Sequence, residues 1–348
     1  MKRIVLSLLL LSVSTLCVKV AADEQQSTPY FLPKTALKFI FKIEKTTYTP
    51  GEFAVYAPRF FRLNPGLEKT TTYRILSYTL QQYAVPDTSK AFTFKVDAKR
   101  NIRVIHTNDG MLLAINADPK EPKQVQPFVP ARKPAPLDPH AYMSQDILSA
   151  GSKIKQAELT AQEILDIRDS RNQLNRGQAD FNPKDGEQLK VMLQENDTQE
   201  KALMQLFTGV TLKDTSEVSV DFVPDKKVTK TLLFRFSKKL GMVDSDDLAG
   251  APYYVTVEDE HLIPDSKTGW TEGRKNKDDA GLYSNLPGRI SVKVLKGSQP
   301  LSAHEIYAAQ YGKVEPIPGD LFTKKLFTSV VLNPVTGYID SIQTEETR

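Results

Sequence analysis

Apolar side chains alternate with polar ones through Leu37, Phe39, Phe41 and Ile43, with Lys38 and Lys42 at intervening positions. A period of two sends successive side chains to opposite faces, so this segment predicts a strand that buries one face. Similar patterns predict strands over residues 73–80, 92–96, 102–105 and 111–115, separated by Pro86-Asp87 and Asn108-Asp109-Gly110 turns. Asp109-Gly110 is a strong hairpin signal, because both residues tolerate the positive φ that tight hairpins need. Alternation returns at Val218, Val220 and Phe222, at Leu232, Phe234 and Phe236, at Tyr253, Val255 and Val257, and at Ile290, Val292 and Val294. Two last strands are predicted over residues 327–332 and 338–342.

Between these groups the period lengthens to that of a helix. Thr160 and Glu163 form a capping box ahead of Ala161, Ile164, Leu165 and Ile167, and Gly177 supplies a stop. Asp185 predicts a second helix start, and Asp197 with Glu200 a third that ends at Gly209. Residues 119–139 hold seven prolines, each without a backbone donor, which predicts an extended strap or boundary. The resulting expectation is an α+β fold, predominantly β-sheet, with two sheet-containing lobes and a helical insertion or layer. Its segments are a signal peptide over 1–22, a sheet-rich lobe over 23–118, the strap over 119–139, a helical region over 140–210 and a second sheet-rich lobe over 211–348.

The leader reading rests on Lys2 and Arg3, the apolar run over residues 4–16, and the small residues Ala21 and Ala22. That order is the secretory one, and it predicts export to the periplasm or cell envelope, with outer-surface association included. Cys17 invites a lipoprotein reading, but Leu16 is bulkier than the residue that lipoprotein processing prefers before its cysteine. Loss of Lys2, Arg3 and Lys19 with the leader takes three positive charges from the formal +4 and leaves +1. Nucleic acid is therefore not an expected partner. Cys17 is the single cysteine, so the mature chain is expected to hold together by packing, without disulfides or thiolate metal sites. It also lacks an apolar run of about 18 residues that would span a bilayer as a helix.

Several stretches together resemble one family. They are Tyr30-Phe31-Leu32-Pro33-Lys34-Thr35-Ala36-Leu37, Pro50-Gly51-Glu52-Phe53-Ala54-Val55-Tyr56-Ala57, Tyr83-Ala84-Val85-Pro86-Asp87, and Asn108-Asp109-Gly110 with Asn116. Further on come Glu163-Ile164-Leu165-Asp166-Ile167-Arg168, Leu206-Phe207-Thr208-Gly209 and Gly281-Leu282-Tyr283. The chain resembles DUF4831, an uncharacterised family of exported Bacteroidetes proteins. That resemblance implies an envelope or secreted location and carries no activity, catalytic assignment or cofactor. The family pattern reads Tyr-Arg after the glycine segment where this chain reads Tyr283-Ser284-Asn285, so no arginine role transfers there.

Chemical motifs are sparse. Ser152 with Lys155, Ser170 with Asn172, and Lys267-Thr268-Gly269 follow the order of penicillin-binding enzymes, with Ser152 as nucleophile and Lys155 as its partner. The spacing from Ser152 to Ser170 is too short for that fold, and local helix or turn roles are the simpler reading. His106, His140, His261 and His304 are isolated, and Glu258 to His261 reads as a solvated loop. Asp244, Asp246 and Asp247 lack the glycine and glutamate of a calcium loop. No phosphate loop or dinucleotide fingerprint is present, and no cofactor is predicted. For recognition, Trp270 and Tyr283 flank a polar segment with Arg274 and Lys275, a set able to stack on a sugar or anchor a protein. The expected function is a non-catalytic envelope protein that binds protein or glycan, with an envelope hydrolase acting on glycan or cell-wall material as the alternative.

Overall fold

A computed structural model describes residues 27–95, 102–120, 128–131, 133–181, 183, 185–225, 228–269 and 280–346. The predicted signal peptide lies outside the described residues. The strands are β1 (Ser27–Thr49), β2 (Thr70–Lys95), β3 (Val104–His106), β4 (Leu112–Ile115), β5 (Val210–Phe222), β6 (Val228–Ser237), β7 (Gly241–Val243), β8 (Ala251–Leu262), β9 (Tyr283–Lys296), β10 (Gln299–Pro316), β11 (Leu326–Leu332) and β12 (Ile339–Glu346). The helices are α1 (Ala57–Phe61), α2 (Gln145–Ser149), α3 (Lys153–Arg176) and α4 (Gly186–Thr208). With 48% strand and 23% helix, the chain is a β-rich α+β protein.

Its strands form three antiparallel sheets in the orders β2-β1-β5, β10-β9-β8-β6-β7 and β12-β11-β4-β3. These sheets mix the segments 23–118 and 211–348: β1 pairs with β5, and β4 pairs with β11. The 23-residue β1 serves more than one core. Leu37, Phe39, Phe41 and Ile43 face the five-stranded sheet, where they pack with Phe234, Val255 and Val292. Phe41 meets the Phe234 ring edge-on at 4.5 Å. At the other end of β1, Tyr30 and Leu32 enter a second core with Leu112, Ile115, Val330 and Ile339 of the four-stranded sheet. A third core joins Phe53 and Ala57 to Ala161 and Ile164 of α3 and to Leu203 and Phe207 of α4. Tyr48 ties that helical layer to β1, donating to the Thr208 carbonyl at 3.1 Å.

The switch of β1 between cores coincides with two wide bulges. On β2 the pairing passes from Phe31↔Ala91 to Pro33↔Pro86, so the predicted Pro86-Asp87 turn is a bulge inside one long strand. Pro33 and Pro86 oppose each other and neither has an N–H, which interrupts the ladder. The Asp87 carboxylate organises the extra residues by accepting from the Ser89 hydroxyl at 2.6 Å and its N–H at 3.1 Å. On β10 the pairing jumps from Ala308↔Gly288 to Lys313↔Leu286, opposite Pro287. Residues 309–312 are thereby free to reach β1.

That reach closes a gap in the three-stranded sheet. Pairing of β1 with β5 ends at Leu37↔Phe222, leaving the Thr35 peptide groups beyond the last β5 residue. The Gln310 carboxamide stands in for the missing strand: its oxygen accepts from the Thr35 N–H at 3.0 Å, and its nitrogen donates to the Thr35 carbonyl at 2.9 Å. The same nitrogen donates to the Pro224 carbonyl at 3.0 Å, while the Ala309 N–H donates to the Thr35 hydroxyl at 3.0 Å. Asn285 completes the junction from β9, donating to the Pro33 carbonyl at 3.0 Å and the Thr336 carbonyl at 2.9 Å. Gly312 allows this approach, since a Cβ there would overlap the Leu286 carbonyl oxygen.

Two helix expectations change. Ser152 caps α3 through the Lys155 N–H, and Thr160 lies within the helix with its hydroxyl bonded back to the Gln156 carbonyl at 2.7 Å. The start predicted at Asp197 lies inside the continuous α4, where Asp197 accepts from Arg171 of α3 at 2.8 Å. Gly177 adopts the left-handed conformation as the stop of α3, and Asp185 caps α4 through the Glu187 N–H.

The junction gives a direct stability test. Gln310→Leu keeps bulk but strands the Thr35 peptide groups, and each buried group left unpaired costs about 1–3 kcal/mol. Denaturant unfolding is expected to show that loss with an unchanged slope. A neutral effect would remove the junction from the account.

Candidate functional site

The outer face of the three-stranded sheet floors a cleft of 1510 Å³. Its floor comes from alternate positions on neighbouring strands: Lys38 and Ile40 of β1, Gln81 and Tyr83 of β2, and Glu217 and Ser219 of β5. The walls are Met111 and Leu113 of the β3–β4 hairpin, the Asn333–Thr336 turn between β11 and β12, and Tyr307 of β10. Phe128 of the proline-rich strap overlies Lys42, whose ammonium is 5.3 Å from the ring centre. Hydrogen bonding fixes the walls. Gln82 donates to the Tyr307 carbonyl at 3.2 Å, and Asn285 holds the turn through Thr336.

Three tyrosines border this space: Tyr83, Tyr307 and Tyr338. Lys38 lies 5.5 Å from the Tyr83 ring centre and 3.4 Å from the Asp221 carboxylate. Burial raises the Tyr83 pKa, and the neighbouring Asp221 raises it further. Tyr338 is raised first by burial and then by the negative charges of Glu315, Asp265 and Asp340. Both shifts favour the protonated phenol, which can donate a hydrogen bond. The Tyr338 hydroxyl donates to the Asp265 carbonyl at 2.9 Å, and Lys267 covers its ring at 5.1 Å. Lys120 pairs with Asp340 at 2.9 Å.

Pro264 also lines a second, smaller pocket of 240 Å³. Its lining includes Asp265, Ser266, Leu286, Lys313 and Glu315. Glu315 is only 1% exposed, and one of its carboxyl oxygens has no hydrogen-bond partner. The other accepts from the Ser284 hydroxyl at 3.4 Å. Burial raises the Glu315 pKa against the smaller lowering effects of Ser266, Ser284 and Lys313.

Of the recognition residues predicted from sequence, Trp270, Arg274 and Lys275 lie outside the described residues. Tyr283 stacks on Phe92 with ring centres 4.4 Å apart and packs against the second core. The serine-lysine elements have local roles: the Ser152 oxygen caps α3, and Lys155 pairs with Glu158 at 3.1 Å. The stretch from Glu258 to His261, expected as a loop, lies in β8, where Glu258 pairs with Lys293 at 2.7 Å, Asp259 accepts from the His261 N–H at 2.8 Å, and Glu260 pairs with Arg289. Asp247 accepts from the Ala249 N–H at 2.8 Å in a turn. His304 bonds Tyr78 at 3.1 Å and lies 3.3 Å from the Ser302 hydroxyl. Among the described residues no group of three metal-ligating side chains converges, and no helix is long and apolar enough to cross a membrane.

Sequence reading missed the cleft because its residues come from distant segments. Glu315 carried no usable signal, since Lys313, two positions before it on the same face of β10, is exposed while Glu315 is buried. A family model described as "Domain of unknown function (DUF4831)" matches residues 26–340. No curated protein and no solved structure gives a match.

The raised Glu315 pKa sets the sign of a pH effect. Above the ordinary carboxyl value of about 4.3 the unfolded chain releases this proton while the folded chain holds it, so stability falls as pH rises through the folded value. Glu315→Gln removes that titration. Calorimetry is expected to show the variant gaining Tm relative to the wild-type chain at pH 7 compared with pH 4. A pH-independent difference would contradict the assignment.

Proposed function

The chain belongs to the DUF4831 family, and from that premise we propose that it is an exported, non-catalytic envelope protein that binds a glycan in the cleft above β1. One observation carries the reading: Tyr83, Tyr307 and Tyr338 border the same space as the amide side chains Gln81, Gln82 and Asn333. The exposed Tyr307 ring offers a flat apolar face to the carbon-hydrogen face of a sugar, Lys38 and Lys267 lie over the rings of Tyr83 and Tyr338, and amides both donate to and accept from sugar hydroxyls.

Size and charge narrow the ligand. A cleft of 1510 Å³ exceeds the roughly 300–1,000 Å³ typical of small-molecule sites, which suits an oligomer. Lys38 is matched by Asp221, Lys120 by Asp340 and Glu305 by Arg289, while Glu217 adds a carboxylate, so the cleft disfavours a polyanion. The floor side chains stand on hydrogen-bonded strands, which limits the ordering cost of binding. Export is supported by the leader pattern of residues 1–22, and an envelope glycan is the polymer that such a chain would meet.

Binding of purified mature protein to a panel of envelope glycans tests the reading. Tyr307 is 43% exposed, so Tyr307→Ala removes ring surface at small structural cost. The expected result is saturable binding without release of saccharide, weakened about 10-fold by Tyr307→Ala. Binding unaffected by Tyr307→Ala would overturn the cleft assignment, and turnover would favour the hydrolase.

A further inference from the structure

Among the described residues, the small pocket beside the cleft is lined by more acidic than basic groups. Asp265 and Glu315 contribute two carboxyl groups, while Lys313 contributes one ammonium. Asp265 sits exposed at the rim, and Glu315 is almost fully buried with an unpartnered oxygen. Leaving a buried carboxyl oxygen without a donor is costly, and a donor that carries positive charge would offset that cost most.

We propose that this pocket is a binding subsite for a primary ammonium group, which Glu315 and Asp265 hold from opposite depths. The pocket volume of 240 Å³ is too small for a whole sugar oligomer and far larger than the roughly 30 Å³ share of one water. It admits an amino group together with several of the atoms attached to it. Three ammonium hydrogens can be shared among the Glu315 carboxyl, the Asp265 carboxylate and the Ser266 hydroxyl. Leu286, Pro264 and Ile263 supply apolar lining for the attached carbon. A divalent cation fits worse, because Lys313 already places a positive charge in the lining.

Pro264 lines both spaces, and the Tyr338 hydroxyl at the cleft wall bonds the Asp265 carbonyl. A ligand lying in the cleft can therefore place an amino substituent in the pocket. That extension to an amine-bearing glycan rests on the proposed cleft function. The ammonium site itself does not.

Ethylammonium and ethanol make a matched pair of probes, alike in shape and different in charge. In NMR titrations of the full mature chain, ethylammonium is expected to shift the Ser266, Leu286 and Lys313 amides saturably, and ethanol is not. Glu315→Gln preserves shape and should weaken ethylammonium binding at least about 10-fold. Asp265→Asn, at the exposed rim, should weaken it less and leaves the buried core untouched, so a folding defect in one variant does not obscure the result. Equal shifts by both probes, no saturable shift by ethylammonium, or unchanged binding by Glu315→Gln would each overturn the site. Glycan binding by the cleft without an ammonium effect would leave the proposed function standing and remove this inference alone.

Discussion

The pairing of the Gln310 carboxamide with the Thr35 peptide groups is the constraint on which the rest of the architecture depends. Thr35 is fully buried, and β5 stops too early to satisfy its backbone. A buried peptide without partners would favour separation of the sheets, whereas a side-chain amide has the donor and acceptor needed to imitate a strand. Supplying that amide requires the β10 bulge, which in turn follows from Pro287 breaking the β9 ladder and Gly312 permitting close approach. Asn285 extends the junction to the β11–β12 turn, so the three sheets meet around one strand.

This junction also explains where the cleft lies. Its floor is the face of β1, β2 and β5 turned away from the main core, and one wall is the turn held by Asn285. The strands supply alternating polar and aromatic groups at fixed spacing, and the bulges bring β10 and the four-stranded sheet to its edge. Matched charges and protonated tyrosines make this surface a set of donors, acceptors and flat rings. Glu315 is the exception, a buried carboxyl whose environment disfavours its charge. The cleft and the pocket with its buried carboxyl thus sit side by side.

Local signals in the sequence were sufficient for many elements. The alternation from Leu37 to Ile43 marked the core face of β1, the Asn108-Asp109-Gly110 turn lies between β3 and β4, and Gly177 and Asp185 mark the gap between α3 and α4. Strand β10 was hidden because His304, Glu305, Gln310 and Lys313 dilute its alternation, and its four-residue bulge shifts the phase. Thr160 and Asp197 carried the chemistry of helix starts, yet one bonds back within α3 and the other pairs with Arg171. The cleft was least legible, since Tyr83, Tyr307 and Tyr338 become neighbours only through long-range strand pairing.

Amide hydrogen exchange along β1 tests the central claim most directly. If the Thr35 junction binds the cores into one cooperative unit, the amides of Thr35, Phe39 and Phe41 should exchange only through global unfolding. Those of Leu112 in the second core and Val292 in the first should then share the same opening free energy. Opening of the four-stranded sheet at a much lower free energy, with β1 still protected at Phe39 and Phe41, would contradict the account.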